Sequence, residues 1–127
     1  MWWILVLATA VPTADHHGDL SVKSVYQQLL KIDERYHLAG RDPAMRRDTE
    51  RKMDTFINRL QRIPGINDPY AGHPLRPCLR AAVLTRQSRR LEWERIISRI
   101  PDDNLVAAGH TAGEAARQAL AECRPLF

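Results

Sequence analysis

The residues best equipped for chemistry in this chain are two cysteines, five histidines and sixteen arginines. The arginines gather most visibly in CLRAAVLTRQSRRLEWERII, residues 78–97, where Arg80, Arg86, Arg89, Arg90 and Arg95 stand among leucine, valine, tryptophan and isoleucine. A guanidinium is a planar fork that grips carboxylate or phosphate through paired hydrogen bonds. The stretch is therefore either a basic helix that holds a polyanion or a packed helix whose arginines meet carboxylates.

Helical projection separates the two. At 100° per residue, Leu79, Ala82, Val83, Trp93, Ile97 and Ile100 share one face, and Arg86 and Arg90 project from the middle of it. A helix that reads DNA would carry its arginines outward as a continuous stripe. Two charges set into an apolar face must instead pair, reach solvent along their stems, or meet a ligand. Arg86 and Arg90 are thus candidate contacts for an acidic group, in this chain or in a partner.

Cys78 and Cys123 are too few for a zinc site, and no C-x-x-C occurs. In an oxidising compartment they would pair with each other; in a reducing one they would be two buried thiols. The histidines, His16, His17, His37, His73 and His110, form no H-E-x-x-H or other metal spacing. Cleavage after Ala14 would expose Asp15-His16-His17 as a new N-terminus, where a third-position histidine can chelate Cu(II), although a flexible polar end is the plainer reading. No nucleophile-elbow, paired serine–lysine or cysteine–histidine signature stands out, and no phosphate-cradling glycine loop. The sequence thus implies no cofactor, no metal and no catalytic residue.

The first fourteen residues, MWWILVLATAVPTA, carry no charged side chain. They are too short to span a bilayer, which takes about 20 residues, and fit the apolar core of a secretory signal, apart from lacking a basic residue before the run. The expected organisation is a leader at 1–14 and a single helical domain at 15–127, with no membrane span once the leader is removed. The formal net charge of +4 is unevenly spread. Residues 41–62 and 76–99 are basic, whereas 100–127 hold Arg117 and Arg124 against Asp102, Asp103, Glu114 and Glu122.

Four amphipathic segments must position these residues. Val25, Leu29, Ile32 and Tyr36 form a stripe that predicts a helix from about Ser21 to Leu38, with Asp19 or Ser21 as cap and Gly40 as terminator. Asp42-Pro43 opens a second helix with the stripe Met45, Thr49, Met53, Phe56, Leu60 and Ile63; Pro64-Gly65 should stop it, and Asp48 and Lys52 can pair across one turn. A proline-rich loop follows at 64–77, with Asn67, Tyr70 and His73 as candidate contacts. The third helix is the arginine-rich stretch, continued to Ile100. The fourth is expected to open at the capping box Thr111-x-x-Glu114, with a small-residue face of Ala112, Ala115, Ala116, Ala119, Leu120 and Cys123; DDNLVAA before it can form a turn or two of its own.

If the last two helices are antiparallel neighbours, Cys78 and Cys123 lie at adjacent ends, so the bridge and the hairpin support each other. The expected fold class is all-α, a small antiparallel four-helix bundle-like domain with a Cys78–Cys123 disulfide. The functional expectation is a small exported protein, periplasmic or secreted, that acts without catalysis by binding another protein. Inhibitor, immunity-type and envelope accessory roles all fit. Such a compartment would keep nucleic acid away. The alternative is a cytosolic Arg-rich helical module for nucleic acid or another polyanion. An enzyme, the third class, would need a pocket near Tyr70 and His73.

Overall fold

The computed structural model describes residues 20–98 and 102–125. They form four helices: α1 (Val22–Ala39), α2 (Pro43–Gln61), α3 (Arg76–Ile97) and α4 (Asp103–Cys123). The expected leader, Asp15-His16-His17, Asp19, Ile100 and Pro101 lie outside the described residues.

Three of the four helices start at a side-chain cap, and α3, which follows Leu75, has none. The Ser21 hydroxyl accepts from the Ser24 amide at 3.1 Å and caps α1. Gly40, at φ 51°, lets the chain leave α1 in a left-handed turn where a side chain would be strained. Asp42 accepts from the amides of Ala44 and Met45, and Pro43 sits in the first turn of α2, where its missing N–H costs nothing. The α2 helix closes at Gln61, three residues before Pro64, because the residue ahead of a proline is driven out of helical geometry.

Helix α4 departs from the expectation. It opens at Asp102, whose carboxylate accepts from the amides of Asn104 and Leu105, and runs unbroken through Thr111. The DDNLVAA segment is therefore the start of the same helix. An aspartate cap two turns upstream satisfies the end donors first, and Gly109 is carried inside because it sits against α3 rather than at a chain reversal. Glu114 pairs with Arg117 instead of reaching back to an amide.

The helices run up, down, up, down. Arg35 meets Asp48 and Gln28 meets Arg59 across α1 and α2; Glu50 meets Arg90 and Asp54 meets Arg86 across α2 and α3. Cys78 meets Cys123 and Leu91 lies beside Gly109 across α3 and α4. Among the described residues α2 and α4 do not touch.

The α3–α4 pair is by far the most intimate, for a reason of residue size. Ala81 and Ala82 on α3 and Ala112, Ala116 and Ala119 on α4 are all buried, and small side chains let two backbones approach where leucines would hold them apart. The disulfide joins Cys78 to Cys123 with their Cα atoms 4.6 Å apart. It closes a loop of 45 residues, worth about 4 kcal/mol in the chain-entropy model.

The core is built mainly from α1, α2 and the first half of α3, with Val25, Leu29, Tyr36, Met53, Phe56, Ile57, Leu60, Cys78 and Leu79, joined by Ile66 and Leu75 from the loop and by Ala119 and Cys123 from α4. The second half of α3 is only partly covered, and Ile97 is 57% exposed. The expected apolar face of α3 is therefore buried at one end and opens into charge at the other.

Candidate functional site

Charge accumulates where α1, α2 and α3 meet, and the centre of it is a residue outside the expected stripe of α2. Arg46 is only 4% exposed. It falls into register with Thr49, Met53, Ile57 and Leu60 at steps of three and four, so the helix turns it inward with them. Its guanidinium lies 4.9 Å from the Trp93 ring centroid and 5.6 Å from that of Tyr36. It donates to the Arg89 carbonyl oxygen and, at 3.4 Å, to Glu92. A buried cation is tolerable only with such replacement for lost water: two ring faces, a carbonyl and a carboxylate.

Arg89 continues the network. Its Nε donates to Asp33 at 2.9 Å and its Nη1 to Glu92 at 3.2 Å. Burial works against its charge, but the hydrogen bond and charge of Asp33, with Glu92 behind them, hold its pKa above the ordinary guanidinium value. On the other side of Tyr36, the hydroxyl donates to Glu50 at 2.9 Å. Burial first, then the Glu50 charge and hydrogen bond, push that phenol well above its usual range.

Arg86 and Arg90 face α2. Arg86 Nη1 donates to Asp54 at 2.8 Å, and Arg90 reaches Glu50 at 2.9 Å and Asp54 at 3.6 Å. For Arg90 too, burial opposes the charge and is outweighed by Glu50 and Asp54, which raise its pKa. The acidic groups these two arginines meet therefore belong to their own chain. Asp48, expected to pair with Lys52, instead pairs with Arg35 of α1 at 2.8 Å and with Arg51 at 3.4 Å.

Beside this network a cleft of about 430 Å³ opens between the start of α2 and the end of α3. Trp93 and Pro43 supply its apolar surface, Arg46, Arg47, Arg51 and Arg90 its cations, and Glu50 and Glu94 its carboxylates. Such a lining can hold a flat or anionic group, but it brings no nucleophile next to a base.

The loop residues part company. Tyr70 is 96% exposed, on a turn fixed by its own amide donating to Asp68 Oδ1 at 2.9 Å and flanked by Gly65 and Gly72 at positive φ. Ile66 and Leu75, 1% and 3% exposed, pin the loop's two ends into the core. His73 is half-buried, and its Nδ1 accepts from the Leu75 amide at 3.1 Å, shaping the entry to α3. Asn67 is exposed. The fold keeps Tyr70 and His73 on this loop, apart from Arg86 and Arg90 on the α2–α3 face.

Among the described residues no group of three or more histidine, cysteine, aspartate or glutamate side chains is placed to hold a metal ion, and no helix is long and apolar enough to cross a membrane. No family model matches the chain, and no curated protein or solved structure matches it either. The class that can be stated is therefore the architectural one: an antiparallel four-helix domain tied by one disulfide across its last hairpin.

Proposed function

We propose that this is a small exported helical protein that acts by binding another protein, without catalysis. The observation that carries the reading is how charge and exposure are divided. Three arginines of α3, Arg86, Arg89 and Arg90, are engaged by Asp54, Asp33, Glu92 and Glu50 of this chain. Tyr70, in contrast, offers nearly its whole side chain on a turn whose ends are anchored. A large amphipathic ring presented on an anchored turn is what the centre of a protein interface uses. The disulfide supports a compartment outside the reducing cytosol.

The test is affinity capture from the host's extracytoplasmic fraction with the wild-type chain and with Tyr70→Ala. Tyr70 packs against almost nothing, so the variant keeps its fold. The reading expects a stoichiometric protein partner that Tyr70→Ala no longer retains. A chain that instead captures nucleic acid, with affinity falling steeply as salt rises, would replace this reading with the polyanion one.

A further inference from the structure

A second depression, about 610 Å³, runs between α1 and α2 and shares Arg51 with the Trp93 cleft. Its cations are Lys31, Arg35, Arg51, Lys52 and Arg59, and its one carboxylate is Asp48. That excess of four equals the formal excess of the whole chain, +4, so the remainder of the molecule is balanced. The contrast with the α2–α3 face is sharp, since Arg86 and Arg90 there each face a carboxylate.

The groove's cations are only partly served. Asp48 is shared by Arg35 and Arg51. Arg59 donates to the neutral amide of Gln28. Lys31 and Lys52 are exposed and make no ion pair among the described residues. The Nε atoms of Arg35 and Arg59 are buried without an acceptor.

We infer that the groove between α1 and α2 docks an acidic, extended segment of the protein partner; the inference rests on the partner-binding reading above. Lys31 and Arg35 are one turn apart on α1, and Lys52 and Arg59 about two turns apart on α2, so positive charge runs along roughly 10 Å of groove. An extended peptide sets alternate side chains about 7 Å apart. Two carboxylates at alternate positions therefore fit the row, each within reach of a guanidinium fork. Ile32 and Thr55 line the space between for smaller side chains. A single-stranded nucleic acid is disfavoured because the groove has no stacking surface: Phe56, the aromatic residue lining it, is 3% exposed.

The probe is a fluorescently labelled ten-residue peptide in which glutamate alternates with valine, followed by anisotropy near 0.1 M salt. Lys31→Glu/Lys52→Glu should weaken binding about tenfold or more, while Arg41→Glu/Arg95→Glu, the same charge change at exposed sites elsewhere, should alter it less than about twofold. Unchanged circular dichroism confirms that both pairs fold. Equal loss in both double variants would overturn the groove, as would no binding to wild type, competition by inorganic phosphate at the peptide's own concentration, or tighter binding of an oligonucleotide of equal charge. A captured partner that still binds Lys31→Glu/Lys52→Glu would sink the groove and leave the partner-binding reading standing; the absence of any partner for the wild-type chain would sink that reading itself.

Discussion

Arg90 Nε donates to one oxygen of Glu50 at 3.0 Å, with Nη2 2.9 Å from the same oxygen, while the other oxygen of that carboxylate accepts from the Tyr36 hydroxyl at 2.9 Å. One carboxylate on α2 thus ties α3 to α1. Because Arg90 is half exposed and Glu50 about a quarter, solvent screens the pair and its coupling is modest. A double-mutant cycle with Arg90→Met and Glu50→Gln, read by urea unfolding, should return about 1 kcal/mol of interaction energy.

Arg46 should matter more. Arg46→Ala leaves a void between Tyr36 and Trp93 and strips partners from the Arg89 carbonyl, and should cost about 3 kcal/mol. Arg46→Met keeps the stem and restores an apolar filling, and should cost less than half as much. Urea midpoints give the ranking, and Trp93 fluorescence in a chain lacking the first fourteen residues, whose only tryptophan is then Trp93, reports the local change.

Tyr36 gives the fold a dependence on alkaline pH. The folded protein holds the phenol proton above the usual range, so above pH 10 the unfolded chain loses a proton that the folded one keeps. Stability is then fully present below about pH 10 and falls above it, by up to about 1.4 kcal/mol per pH unit. Tyr36→Phe is less stable at neutral pH through the lost hydrogen bond to Glu50, but its stability should fall less steeply between about pH 10 and 11.5.

The α3–α4 seam is close but not full at its glycines. A methyl added at Gly109 would lie 3.9 Å from Leu91 Cβ, and one at Gly113 3.6 Å from Ser88 Oγ, both ordinary contacts. Gly109→Ala and Gly113→Ala should each stabilise the protein by about 0.5–1 kcal/mol through helix propensity. Ala81→Leu, at a fully buried position one turn from Cys78, should destabilise it by about 1–3 kcal/mol. Thermal unfolding monitored by circular dichroism distinguishes the two signs.

What was legible beforehand follows the physics of each signal. Ser21, Asp42-Pro43 and the Val25–Leu29–Tyr36 stripe are local, and the helices obeyed them. The cysteine pair was readable because a hairpin puts two helix ends side by side. Thr111-x-x-Glu114 misled because a capping box is also an ordinary mid-helix sequence, and only the competition with Asp102 decides which is used. Arg46 was missed because Met45 next to it is the more apolar choice for the stripe, yet Trp93, Tyr36 and the Arg89 carbonyl, from other elements, form the site that receives a cation. The α1–α2 groove depends on which face five separate cations share, and pairing across helices is invisible to a one-helix projection.

The most direct measurement of the account is the intact mass of this protein recovered from its native host without reducing agent. Export with a closed bridge predicts a chain shortened by about the first 10–14 residues and lighter by the two hydrogens of the Cys78–Cys123 disulfide. A full-length, fully reduced chain recovered from the cytosol would contradict it.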